Sequence, residues 1–228
     1  MTLAEMEQTL ALLVQDSSLK KQFARMLNDA LLEVAADFDL PALRRLTPLE
    51  FPVTDAAWLW PLPQTFHKNL FRCVDGDWNP VAIRRSLDHL DNVDLNHDEV
   101  RDRVTQVAVS DTGMDKYLGI YPLANDTLRL WFYENPERLV KPDDVPKCLP
   151  SEYHDRVLVT KCVLKNFQYF TDFIEDGPQK SLRYWEDQYR QGLYGSRGGD
   201  IGLINFLVKA RGGPRRHGGC DPIGGRGW

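Results

Sequence analysis

Apolar positions recur at helical spacing near both ends of the chain and at alternate positions in its middle. Leu3, Met6, Leu10, Leu13 and Val14 share one face over Thr2–Val14, and Leu19, Phe23, Met26, Leu27, Ala30, Leu31 and Val34 share one over Ser18–Asp37. This spacing predicts two amphipathic helices. Ser17 or Ser18 is placed to cap the second, and Pro41 marks its end. A third helix is predicted from Ser151, just after Pro150, to about Glu175, ahead of Gly177-Pro178. Tyr153, Val157, Leu158, Leu164, Phe167, Phe170, Phe173 and Ile174 give it the wide apolar stripe of a core helix. A fourth follows Pro178, with Leu182, Trp185, Tyr189 and Leu193 facing inward.

Over Thr127–Glu134 the period changes to two. Leu128, Leu130 and Phe132 fall on one side, and Arg129, Trp131 and Tyr133 on the other. That alternation predicts a half-buried strand. Further strands are expected over Thr65–Val74, Trp78–Arg84, around Val104–Val109 and over Tyr117–Tyr121, with turns at Asp75-Gly76-Asp77, Asp111-Thr112-Gly113 and Asn125-Asp126. Leu59-Trp60-Pro61-Leu62-Pro63 is expected to be a rigid entry turn, and Leu87–Asp98 a polar loop with a short helical turn. Pro136, Pro142, Pro146 and Pro150 make the stretch before the third helix an ordered but irregular connector, because proline lacks a donor N–H and disfavours helix in the residue before it.

These elements predict an α+β chain. A helical bundle comes from residues 1–50 and 150–191, with a small antiparallel β-module of about five strands inserted at 51–134 and a Pro-rich connector at 135–149. Residues 192–228 form a long extended C-terminal arm in this reading. Neither of the first two helices can bury its face alone, so the later helices must pack on them.

Charge sharpens the picture at the C-terminus. The chain carries a net charge of −5, yet Gly192–Trp228 holds Arg197, Lys209, Arg211, Arg215, Arg216 and Arg226 against Asp200 and Asp221. The body before it is therefore at −9, and the tail has twelve of the sixteen glycines. An acidic body with a basic glycine-rich tail points to two separate jobs. Ile201, Leu203, Ile204, Phe206, Leu207 and Val208 form an apolar island within that tail. Glycine loses the most backbone entropy on ordering, so the tail is expected to order only against a partner.

Candidate chemistry is sparse. The four cysteines have no CxxC spacing, so no structural zinc site is expected. His154 beside Asp155 could be a base and its orienter, but adjacent helical residues point apart, and a surface or interface histidine is expected. His89 and His97 lie among Asp88, Asp91, Asp94 and Asp98, without the glycine and closing glutamate of a calcium loop; a solvated acidic loop is expected. Trp58, Trp60, Trp78 and Trp131 fall in the β-module, where they could stack on bases or serve as core or subunit contacts. No phosphate loop or nucleophile elbow is present. No apolar run approaches a membrane span of about eighteen residues, and the first residues are expected to be helix and not a signal peptide. No catalytic residue, cofactor or metal is therefore assigned.

The strand Leu128-Arg129-Leu130-Trp131-Phe132-Tyr133, the linker with Asp143-Asp144, and Leu149-Pro150-Ser151-Glu152-Tyr153-His154 opening a long helix resemble head-to-tail adaptor (connector) proteins of tailed bacteriophages. The resemblance covers Thr127–Asp176. It implies a structural virion protein, assembled in the host cytoplasm, that forms a homo-dodecameric ring. That ring would lie between the portal protein and a tail or stopper protein, and let DNA pass through it. The partner-binding residues are then those of the tail: Ile201, Leu203, Phe206, Arg211, Arg215, Arg216, Arg226 and Trp228. Two other readings stay open. One is a nucleic-acid-binding protein whose basic tail tracks the backbone without reading sequence. The other is a cell-wall hydrolase, which would need a carboxylate pair that the sequence does not point out.

Overall fold

A computed structural model describes residues 1–13, 19–111, 115–167, 182–196 and 201–210. It is a mixed α+β protein with two small sheets.

The first helix, α1 (Leu3–Leu13), opens on a reciprocal cap. The Thr2 N–H donates to Glu5 Oε2 at 2.8 Å, and the Glu5 N–H donates to Thr2 Oγ1 at 3.3 Å. Two otherwise orphaned donors are thus satisfied by one T-x-x-E spacing. A short 3-10 turn (Leu19–Gln22) leads into α2 (Phe23–Asp37), whose Phe23, Met26, Leu27, Ala30, Leu31, Val34 and Ala35 are buried. The third helical element begins with a π-helical stretch (His154–Val159) and continues as α-helix over Thr160–Lys165. Its expected extension to Glu175 lies outside the described residues. A later helix (Leu182–Tyr194) buries Trp185 and half-buries Tyr189 and Leu193. Leu182, expected inward, is exposed, because it occupies the helix's first position, beyond the packed face.

These helices share one core, to which Leu139, Cys148 and Leu149 of the connector contribute. The connector itself has neither helix nor strand; the α1 N–H groups of Leu3 and Ala4 donate to its Asp144 and Pro142 carbonyls, and side chains supply further backbone partners. The Asn28 amide donates to the Leu139 carbonyl at 2.9 Å and accepts the Leu139 N–H at 2.8 Å. Asp144 Oδ2 accepts the N–H groups of Val140 and Lys141. Such pairing is what lets irregular backbone be ordered.

Among the described residues seven strands, not five, make two sheets. The first is antiparallel, in the order β1 (Leu49–Val53), β7 (Asp126–Glu134), β3 (Phe66–Val74). The second runs β2 (Leu59–Pro61), β6 (Lys116–Tyr121), β5 (Gln106–Asp111), β4 (Ala82–Arg84), with β4 and β5 parallel. The two overlooked strands contain Pro52 and Pro61 and both are edge strands, where a missing N–H costs no ladder bond. The entry turn expected at Leu59–Pro63 therefore includes strand. The parallel pair arises because the chain crosses over between β4 and β5, placing α3 (Asp88–Asp91) on the way.

Leu128, Leu130 and Phe132 of β7 are fully buried against Val107 of β5 and Leu118 and Ile120 of β6, which makes a two-layer module with its own core. The module meets the bundle through a register irregularity in β3. There the Lys68 ammonium donates to the Ala36 carbonyl near the end of α2 at 2.7 Å, and the Asn69 amide donates to Asp39 at 3.0 Å. A cation at a helix C-terminus is favoured by the helix dipole.

Candidate interaction surfaces

The expected arm does not begin at residue 192. The helix from Leu182 runs on to Tyr194, and Leu203–Ala210 forms a further helix, here α6, with the Leu182–Tyr194 helix as α5 and Thr160–Lys165 as α4. Leu203 and Leu207 of α6 are buried in the bundle core. The Tyr153 hydroxyl donates to the Ile201 carbonyl at 2.9 Å, and the Tyr153 and Phe206 rings lie 5.8 Å apart. Of the predicted partner-binding residues, Leu203 is thus a core residue of its own chain, and Phe206 is half-buried. Ile201 is exposed, as is Val208. The reason is that Leu203 and Leu207 are four apart on one face, which the bundle covers. Arg211, Arg215, Arg216, Arg226 and Trp228 lie outside the described residues.

His154 is not on the surface. It is buried, with Nε2 2.9 Å from the Leu149 carbonyl and Nδ1 2.9 Å from the Met1 nitrogen. A carbonyl can only accept, so Nε2 carries the proton and Nδ1 is the acceptor. Asp155 next to it is exposed, so the pair has no base-and-orienter geometry. Cys73, Cys148 and Cys162 are buried free thiols, pushed up by burial to about 12, 11 and 12, so none is poised as a nucleophile.

The acidic segment is built, not merely solvated. Asp94 accepts the N–H of His97 at 3.1 Å and of Glu99 at 3.0 Å. Backbone bonds, that from Glu99 foremost, hold its carboxyl below the ordinary value. The His97 ring stacks on Trp58 at 3.7 Å and 4°, and its Nε2 lies 2.8 Å from Asp91 Oδ1. Glu99 accepts from the Tyr121 hydroxyl and from Arg101. Beneath the segment, Leu90 packs on Ala108 and Tyr121 on the outer side of the second sheet. Gly119 lets them pack closely: a Cβ would come within 2.5 Å of a Leu87 methyl and 3.1 Å of a Leu90 methyl, so the leucine side chains would have to shift. Among the described residues no group of three or more His, Cys, Asp or Glu side chains is arranged to hold a metal ion.

The four tryptophans divide between two places. Trp58 and Trp60 belong to the β2 region, and Trp78 and Trp131 meet on the outer face of the first sheet, with ring centroids 6.2 Å apart. Arg129 lies 4.5 Å over Trp78, and Arg72 lies 4.6 Å over Trp131. Farther along the strands, Arg44 lies 4.4 Å over Phe71, which meets Tyr133 edge to face. Register sets this ladder, because Arg72 is the β3 partner of Trp131. The alternation Arg129, Trp131, Tyr133 shows half of it in the sequence; Arg72 and Trp78 join only through strand pairing and the turn after β3.

That turn holds Trp78 outward. Trp78 has φ of 67°, a left-handed conformation unfavourable for a bulky residue. The buried Asp75 carboxylate fixes it by accepting the Asp77 N–H at 3.0 Å, the Asn79 N–H at 2.7 Å and the Asn79 amide at 2.9 Å. Burial alone would push the Asp75 carboxyl up; the bonds from Asn79 and Asp77 and the nearby Arg103 outweigh it and hold it below the ordinary value. Arg129 closes the turn from outside by donating to the carbonyls of Asp75 and Gly76.

No curated protein matches this chain. The model of the SU10 adaptor protein family matches residues 1–203, a span that takes in the bundle, the β-module and the connector up to the start of α6. No helix among the described residues is long and apolar enough to cross a membrane. With a match over most of its length, the chain belongs to the SU10 adaptor protein family, bacteriophage structural adaptors that are components of the virion.

Proposed function

We propose that this protein is one subunit of a ring of twelve that joins the portal protein to a tail or stopper protein and leaves a channel for DNA. The observation that carries the reading is the family match, which spans the folded body. The body acts as the ring wall. Residues 1–191 carry −9, and a wall of that sign does not grip the phosphate backbone, so DNA passes without being held.

Attachment to the portal falls to the segment after Ala210. It leaves from a helix pinned to the bundle by Leu203, Leu207 and the Tyr153–Ile201 hydrogen bond. Ile201, just before α6, and Val208 on α6 remain open, and Arg211, Arg215, Arg216, Arg226 and Trp228 follow in sequence. Arginine and tryptophan are the side chains that contribute most per residue at protein interfaces. Ring avidity then makes many weak attachments act as one strong one.

Deletion of residues 211–228 tests this. The shortened chain is expected to keep the melting temperature of the full chain and to lose co-sedimentation with portals. Full occupancy of portals by the shortened chain would refute the attachment role.

A further inference from the structure

We propose that the arginine–tryptophan face of the first sheet is the docking surface for the acidic ledge of a second copy of this chain, so that copies associate head to tail through their β-modules. This rests on the ring reading above and specifies which surfaces close it.

The face has the character of an interface. Trp78 is 56% exposed and neighbouring Leu46 is 87% exposed, although both are large and apolar. Leu46 belongs to the same patch, since its carbonyl accepts the Trp131 indole N–H at 3.3 Å. Arg44 and Arg72 are exposed, and among the described residues no carboxylate pairs with either. Stacking on Phe71 and Trp131 already fixes both guanidinium groups, so little side-chain freedom is left to lose on binding. The Asp75 turn keeps Trp78 outward on unfavourable backbone, and backbone strain held in place by a dedicated set of hydrogen bonds is a mark of a functional surface.

The ledge has the complementary character. Asp88–Glu99 contains five carboxylates and no lysine or arginine. Among its acids it exposes Val93 and Leu95, the latter at 81%, with Val100 just beyond. Arg101 pairs with Glu99 and His97 with Asp91, which leaves Asp88 and exposed Asp98 without an ion pair among the described residues, so the ledge is apolar and negative. On the face Glu50 pairs with Arg129, and Arg44 and Arg72 leave it apolar and positive. The ledge is also rigid, because Asp94, the Trp58–His97 stack and the packing of Leu90 hold it.

Position decides that the partner is another copy. On β7 the buried Leu128, Leu130 and Phe132 alternate with Arg129 and Trp131, so the arginine–tryptophan face points away from the second sheet. On β5 and β6 the inward Val107, Leu118 and Ile120 alternate with Ala108, Gly119 and Tyr121, which carry the ledge on the other side. The two complementary patches thus lie on opposite outsides of one module, and a chain cannot satisfy its own pair. Between copies, such an arrangement is heterologous and repeats until a rotation closes it into a ring.

The test uses full-length chains with exposed residues changed, so the fold is not at stake. A face variant carries Arg72→Glu with Trp78→Ala, and a ledge variant carries Leu95→Arg with Asp98→Arg. Sedimentation velocity is run without portal or tail, at the highest soluble concentration. Wild type is expected to self-associate with concentration. Each variant alone should lose at least tenfold in self-association, roughly the loss of one hot-spot residue. An equimolar mixture should form heterodimers that grow no further, because one good interface remains per pair. A wild type that stays monomeric, variants that associate like wild type, or a mixture that stays monomeric would each overturn the proposal. So would a duplex oligonucleotide held by wild type and released by the face variant, which would assign the face to nucleic acid. Because the deletion of 211–228 leaves both patches in place, failure of portal attachment and failure of this interface read out separately.

Discussion

Gly192→Ala is the substitution for which two physical effects predict opposite signs. Gly192 lies inside α5, near its end, and is buried. Helix propensity alone makes alanine more stable than glycine there by ~1 kcal/mol. Packing opposes this. A Cβ at position 192 would stand 2.4 Å from the Arg156 carbonyl oxygen, 3.0 Å from its carbon and 3.1 Å from a Val157 methyl. The first two are backbone atoms of the π-helical stretch, so relief requires moving one helix off the other. Overpacking of this kind costs about 3 kcal/mol, the upper end of its usual range, because no flexible side chain can yield. The net is a loss of ~2 kcal/mol, and for a chain of this length that lowers the melting temperature by about 4–8 °C. Thermal melts followed by circular dichroism measure it, with Gln191→Ala, an exposed neighbour on the same helix, as the control that should not destabilise. A Gly192→Ala protein that melts at or above wild type would refute the close helix crossing.

Asp75→Asn should destabilise the protein at neutral pH by about 1–2 kcal/mol, as charged acceptor bonds in the turn are weakened. Because the native Asp75 carboxyl lies below its ordinary value of 3.8, its contribution is present above that pH and is lost as pH falls through the lower native value. Urea melts of the two proteins should therefore converge on acidification, and a gap that is unchanged from neutral to strongly acid pH would sink the assignment. Cys73, Cys148 and Cys162 should resist a disulfide-exchange reagent on the native protein at mildly alkaline pH, since burial holds all three thiols at about 11 or 12. Rapid labelling of any of the three, read by mass spectrometry of the peptides, would show that the cores around them open.

What the chain reveals on inspection is what is decided locally. The stripe on α2 and the alternation on β7 are periodic within one element, and both give the buried side correctly. The Thr2–Glu5 cap is likewise legible as a spacing of three. What stays hidden is decided by pairing across long separations. His154 becomes a core residue because the Met1 nitrogen lies against it, 153 positions away. The strands at Leu49 and Leu59 are hidden by prolines that only an edge position tolerates, and edge status depends on where β7 and β6 lie. The same division runs through the candidate surface. Arg129 and Trp131 are legible as the polar side of a strand, but alone they describe only an amphipathic strand. They become a docking face when β3 pairs in the register that sets Arg72 opposite Trp131 and the Asp75 turn swings Trp78 over Arg129. The chemistry of this face is therefore a property of register. A single-residue slip of β3 against β7 would keep every residue and abolish the surface.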